Sequence, residues 1–90
     1  MATLYRADGR VEDYPAPANG TDYQLEELQA AIGGGWIEIA HTKDGRLMVI
    51  DEEGKLKRLP VNAAATVLYI YGAQDPICGD ALVCEDREIK

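Results

Sequence analysis

The hydrophobic and polar positions of residues 36–41 indicate a β-strand with two different faces, Ile37 and Ile39 on one and Trp36, Glu38 and Ala40 on the other. The turn sequence Lys43-Asp44-Gly45 follows, and an Asp-Gly pair supplies the positive φ that a tight hairpin needs. Residues 47–50 are all apolar, which is typical of a strand that is covered on both faces. The pattern therefore predicts a β-hairpin with Gly45 at positive φ.

Two other segments carry similar turn sequences. Residues 3–5 and 11–14 flank Ala7-Asp8-Gly9, which predicts an N-terminal hairpin. Glu53-Gly54-Lys55 resembles both Asp-Gly turns and predicts a third hairpin turn.

Helical spacing of apolar residues appears at residues 25–32, behind Thr21 and Gln24, whose spacing predicts a capping box. Three glycines at 33–35 are expected to end this helix. No helix start and no Lys-Ser or Lys-Thr pair follows these glycines, so they do not form a phosphate-binding loop.

Residues 62–71 leave two alternatives open. Asn62 can cap a helix, alanines at 63–65 favour it, and Gly72 would close it. Residues 66–71 have the composition of a strand instead. The agreement of cap, alanines and closing glycine favours the helix.

The C-terminal part predicts a last strand at residues 77–85, with Gly79 at a bulge or close approach. We expect this strand at an edge of the sheet, and we expect residues 86–90 to fray. These elements predict a small α+β fold, a mostly antiparallel sheet of hairpins with one or two short helices, in a single domain of residues 1–90.

The charge balance narrows the function classes. Sixteen acidic residues against nine basic ones give a formal net charge of −7, which disfavours direct binding to nucleic acid. No apolar run approaches the roughly 20 residues of a membrane-spanning helix, and the N-terminus lacks signal-peptide features. We expect a cytoplasmic protein that does not engage a membrane.

Residues suited to catalysis are scarce, since the chain has no Ser, one His and two Cys. Cys78 and Cys84 would lie about 20 Å apart on one strand, too far for a disulfide, so we expect free thiols. His41 stands at the end of a strand and has no nucleophilic partner, and Asp51-Glu52-Glu53 fits no calcium loop. The sequence predicts no catalytic residue, no metal and no cofactor, and thus a protein that is not an enzyme.

Aromatic and basic residues near the second hairpin are the most suggestive group. Aromatic planes beside cations suit a nucleobase and its phosphates, with polar side chains bonding base or ribose edges. The residues expected to bind such a ligand are Trp36, Glu38, Arg46, Lys55, Arg58, Asn62 and Tyr71.

Several segments in order carry a resemblance over about two thirds of the chain. They are residues 25–32, 34–38, 47–56, 59–66 and 75–83. The chain resembles a family of small phage and mobile-element proteins catalogued only as domain of unknown function 3846. The resemblance implies a genomic setting and no reaction, and small phage proteins of this kind often serve in counter-defence.

Two hypotheses follow. The first is a homo-oligomeric protein that sequesters a nucleotide-derived immune signal, with ligand sites near a subunit boundary because one short chain rarely encloses a pocket. The alternative is an acidic inhibitor that blocks a host defence nuclease or another defence protein, suggested by the net charge. If a phage encodes the protein, either would act in the host cytoplasm.

Overall fold

The structure is a computed structural model that describes residues 2–89, and its centre is a five-stranded antiparallel sheet. The strands are β1 (Ala2–Tyr5), β2 (Val11–Tyr14), β3 (Ile37–His41), β4 (Leu47–Asp51) and β5 (Ala81–Cys84). Their order across the sheet is β2-β1-β5-β4-β3. With two short helices, α1 (Leu25–Ala31) and α2 (Ala63–Leu68), the fold class is α+β as expected.

Both Asp-Gly hairpins form. β1 pairs with β2 and β3 pairs with β4, and the turn glycines Gly9 and Gly45 have φ of 99° and 87°. The prediction of a positive φ at Gly45 is therefore confirmed. β4 is also covered as expected, with Met48 and Val49 fully buried on opposite faces.

β5 lies in the middle of the sheet, so the prediction of an edge strand was wrong. Leu82 pairs with Leu4 of β1 on one side and with Val49 of β4 on the other. All residues of β5 are buried because each face of this strand is apolar and needs a cover. The two edges are β2 and β3.

The sheet is covered on both faces. On one face α1 contributes Leu28 and Ala31 to a cluster with residues of β1, β4 and β5. On the other face Ala65 of α2 packs with Met48 and Val83. A sheet with two apolar faces explains how a 90-residue chain buries both sides of its central strands.

The capping box of α1 lies three residues later than predicted. Gln24 is the N-cap, and its N–H donates to the Glu27 carboxylate at 3.0 Å. The Thr21 hydroxyl instead bonds Asn19 and Asp22 in the preceding turn. At the other end, Gly34 N–H donates to the Gln29 carbonyl, so the glycines end the helix as expected.

The helical alternative for residues 62–71 is confirmed for its first part. The Asn62 side chain accepts the Ala65 N–H at 3.1 Å and caps α2. The helix ends at Leu68, because Tyr69 turns extended and pairs with Thr42 at the end of β3. The strand alternative for residues 66–71 is wrong apart from this single bridge at Tyr69, because residues 70–74 form turns.

The third hairpin turn does not form. Residues 52–58 make successive turns, and the positive φ of 57° falls on Arg58. Gly54 is needed for space, since a Cβ there would lie 2.5 Å from the Cys78 carbonyl oxygen. Gly79 has the close approach that was expected, in its case to the Leu59 side chain.

The C-terminal residues are ordered by contacts that the sequence did not indicate. Asp86–Glu88 form a 3₁₀ helix, Glu88 is buried, and its carbonyl accepts the Tyr23 N–H at 2.8 Å. The sequence predicts fraying for residues 86–90; in the structure residues 86–89 make these contacts, and Lys90 lies outside the described residues.

Candidate functional site

A cleft of about 140 Å³ opens beside β3 and β4, on the face of the sheet that α2 covers. Ile50 and Ile77 line its apolar part. Carboxylates dominate its polar part, which includes Glu38, Glu52 and Asp75. Four residues of the turns at 52–58 also line the cleft, so the path of the chain after β4 shapes it; they are Glu52, Gly54, Lys55 and Leu56.

The lysines near the cleft are already paired with acids. Lys55 forms an ion pair with Asp75. Lys57 lies 2.8 Å from the Asp51 carboxylate, and this hydrogen bond raises the pKa of the lysine. Asp51 is buried and also accepts the Glu53 N–H, so its charge is compensated within the chain.

Glu38 and Glu52 keep their charge uncompensated. Within residues 2–89 neither carboxylate forms a hydrogen bond or an ion pair, and both side chains are exposed. Because Glu38 pairs with Ile50 in the ladder, it occupies the same face as Glu52. The cleft therefore presents net negative charge at its mouth.

Trp36 adds an aromatic surface beside these carboxylates. Its carbonyl accepts the Glu52 N–H at 3.0 Å, so the two residues lie directly across the strand pair. Alternation along β3 puts its side chain on the face of Glu38. The indole is 63% exposed. An exposed aromatic ring on the same face as two carboxylates is suited to bind a cation.

The backbone of β3 is open at its outer edge. On the β4 side, the Trp36 carbonyl accepts the Glu52 N–H, and the Thr42 N–H donates to the Arg46 carbonyl. Because antiparallel pairs alternate, the N–H and C=O groups of Ile37 and Ile39 point away from β4. The C-terminal end of this edge is covered, since the Ile70 N–H donates to the His41 carbonyl.

The other predicted ligand residues lie elsewhere. Arg46 is at the opposite end of the hairpin, where its guanidinium pairs with Asp44 at 2.6 Å. Arg58 is exposed in the turns after β4 and does not line the cleft. Tyr71 is 59% exposed and makes an edge contact with the Tyr69 ring, which does line it.

The Asn62 side chain is buried and has a structural role. It is 1% exposed, and its amide donates to the Tyr5 and Gly79 carbonyls at 2.8 and 2.9 Å. Both ends of the amide are therefore occupied, which ties the start of α2 to β1. Of the seven predicted residues, the cleft brings together Glu38 and Lys55.

Sequence reasoning missed Glu52 and Asp75 as site residues. The acidic run Asp51-Glu52-Glu53 offered a signal for Glu52. Asp75 gave none, because its partner Lys55 is twenty residues away in the chain. Only the fold brings these two charges together.

The thiols and the histidine have ordinary surroundings. Both cysteines are free, as expected. Burial raises the pKa of the Cys84 thiol to about 12, so it stays protonated and unreactive at neutral pH. His41 is exposed. Across residues 2–89 no group of three potential ligands could hold a metal ion.

No helix within the described part of the chain is long and apolar enough to cross a membrane. None of the curated proteins and none of the solved structures matches the chain. One family model does match, over residues 5–89, and its description is "Domain of unknown function (DUF3846)". The match includes β2 and the turn before it, which the resemblance in the sequence did not cover. On this match the chain belongs to the DUF3846 family.

Proposed function

We propose that this chain is a non-enzymatic binding protein that occludes a basic surface of a protein partner. The observation that carries the proposal is the exposed Trp36 beside two uncompensated carboxylates, Glu38 and Glu52. Aromatic residues are enriched at the centres of protein interfaces, and negative charge around them steers a basic partner.

The charge distribution favours this function over binding of a nucleotide. Arg46, Lys55 and Lys57 are paired with acids of the same chain, so each would have to give up a partner to hold a phosphate. The cleft, at about 140 Å³, is also smaller than the roughly 300–1,000 Å³ of typical small-molecule sites.

The class of partner follows from chemistry. Proteins that bind nucleic acid carry basic grooves, and an acidic surface with an aromatic centre can cover such a groove. In the phage setting that the resemblance implies, we propose that the partner is a host defence nuclease or another defence protein. The chain would then act in counter-defence.

Affinity capture with the tagged protein tests this function. We expect a stoichiometric protein partner whose complex dissociates as salt rises, because charged surfaces are screened. Glu38→Lys should lose the partner. Asp13→Lys, the same charge change on the exposed part of the other edge strand, should retain it. Equal capture by both variants, or capture of no protein, would contradict the proposal.

Sequestration of a nucleotide-derived signal is a second candidate, favoured by one observation. Glu38, Lys55 and the Tyr69 ring line the same cleft, so a base edge, a phosphate and a stacking face have counterparts there. A nucleotide would need a larger site, and a second copy of the chain would have to enlarge it.

Thermal shift with cyclic dinucleotides and ADP-ribose derivatives, together with light scattering, tests the second candidate. It predicts stabilisation by at least one ligand and a mass of at least two chains. Release of a small molecule on denaturing the captured protein would also support it. A monomer that no ligand stabilises would contradict it.

A further inference from the structure

The geometry points to strand addition at β3: an extended segment of the protein partner pairs with the open backbone of Ile37 and Ile39. An Arg or Lys of that segment then enters the cleft between Glu38 and Glu52, beside Trp36. This inference rests on the proposed function and assigns it a binding mode. Three features of the edge carry it: its backbone, its charge and its length.

The backbone provides the pairing groups. The outward N–H and C=O groups of Ile37 and Ile39 form no bond to β4, and an added strand satisfies both pairs. The side chains suit such a partner, because Ile39 is 38% exposed on one face and Glu38 is exposed on the other. A segment with apolar residues on one face and basic residues on the other matches this alternation.

The charge selects a basic segment over a second copy of this chain. In an antiparallel pair of two copies, Ile37 of each copy would face Ile39 of the other, and Glu38 would lie directly opposite Glu38. Like charges directly opposite destabilise a strand pair. Moving the register by two residues would bring Ile37 against His41, whose carbonyl already accepts the Ile70 N–H. Moving it the other way would bring Ile39 against Gly35, whose φ of 88° lies outside the extended region that a strand pair needs.

The length of the open edge limits the partner segment. Beyond Ala40 the outer edge is occupied, because Tyr69 pairs with Thr42 and Lys43 N–H donates to the Leu68 carbonyl. The added strand therefore pairs over a few residues only. Its affinity depends on the basic side chain in the cleft as well as on backbone hydrogen bonds.

The probe for the test is the capped peptide Thr-Val-Arg-Val-Arg-Val-Thr. Its control is the isomer Thr-Val-Val-Val-Arg-Arg-Thr, which has the same charge without the alternation. Trp36 is the sole tryptophan of the chain, so its emission reports events at this edge directly. We expect the alternating peptide to change the Trp36 emission saturably and to bind about tenfold more tightly than the isomer.

Two variants separate pairing from charge. Ile39→Pro removes an outward N–H and keeps the bonds to β4, and we expect peptide affinity to fall about tenfold or more. Glu38→Lys should weaken binding about tenfold, whereas Asp13→Lys should change it less than about threefold. Circular dichroism verifies that each variant is folded, and Glu38→Lys keeps the test decisive if Ile39→Pro does not fold.

Other outcomes overturn the inference. These are no binding of the alternating peptide, equal binding of its isomer, or full binding by a folded Ile39→Pro. The failures of the two proposals are distinguishable. A captured partner that binds wild type and Ile39→Pro equally leaves the inhibitor function standing and removes strand addition. Peptide binding as expected, without any captured protein, supports the edge chemistry and contradicts the inhibitor function.

Discussion

The two edge strands of the sheet, β2 and β3, present very different surfaces to solvent. β2 carries Glu12 and Asp13 within four residues, and Pro15 follows it. Glu12 is held by Arg6 at 3.2 Å. β3 has one acid, Glu38, between two isoleucines. Charges and prolines protect an edge strand against pairing with another strand. The sequence of β2 therefore disfavours such pairing, and the sequence of β3 does not.

The outward backbone groups sharpen this difference. Arg6 N–H donates to the Arg10 carbonyl, so the alternation places Val11 and Asp13 outward in β2. Pro15 takes the next outward position and has no N–H to offer. On β3 the corresponding groups belong to isoleucines, and within residues 2–89 the backbone of Leu68 and Ile70 covers this edge at one end. An edge left open beside an acidic cleft is a reason to assign recognition to β3.

The largest expected effect is on the free energy of unfolding, and it distinguishes β3 residues whose N–H faces β4 from those whose N–H faces outward. Ala40 is buried and points its N–H toward Met48, so Ala40→Pro breaks a ladder bond and forces a ring into the core. We expect a loss of about 3–5 kcal/mol in the free energy of unfolding. Ile39→Pro should cost about 1 kcal/mol because its N–H points outward. Urea denaturation of both variants checks this, and equal losses would contradict the assigned alternation.

Hydrogen exchange compares the two edges without mutation. We expect the amides of Ile37, Ile39 and Asp13 to exchange at least about 100-fold faster than those of Ala40 and Glu12, which donate within the sheet. Exchange followed by NMR gives the rates one amide at a time. Slow exchange at Ile39 would mean that its N–H is already occupied in solution, by a second copy or by another segment.

The turn glycines test whether both hairpins depend on the same backbone conformation. Gly9 and Gly45 have positive φ, and a Cβ at either position would meet open space, so Val at either site is strained without a clash. We expect Gly45→Val and Gly9→Val each to cost at least about 1 kcal/mol. Chemical denaturation measures both, and an unchanged midpoint would argue against a tight turn there.

The smallest expected effect on stability comes from protonating the turn aspartates, Asp8 and Asp44, in acid. The Arg10 N–H lowers the pKa of Asp8, and the Arg46 guanidinium lowers that of Asp44 further, both from 3.8. Since the folded pKa is depressed, each contributes stability above pH 3.8 that is lost as pH falls through the folded pKa. Carboxyl NMR should find Asp44 titrating below Asp8, and Arg46→Gln should raise the Asp44 value. An Asp44 midpoint at 3.8 or above would contradict the ion pair.

The sequence by itself determined the local features of this protein. Both Asp-Gly turns, the Asn62 cap and the buried character of β4 depend on neighbours in the chain, which a pattern records directly. The error at Thr21 was a shift of one capping motif along the chain, since Gln24 and Glu27 offer the same chemistry three residues later. The residue at which the helix begins depends on how the helix packs against the sheet. The capping motif alone does not contain that information.

Tertiary structure alone decided the order of strands and the charge of the cleft. The consecutive apolar residues of β5 gave the signal used for β4, but its neighbours are distant in sequence, so only packing could place it between β1 and β4. Likewise, Lys55 and Asp75 neutralise each other across the fold. Glu38 and Glu52 stay uncompensated because no cation of residues 2–89 is positioned to pair with them. Whether a charge remains available to a partner depends on distances between residues, and folding sets those distances.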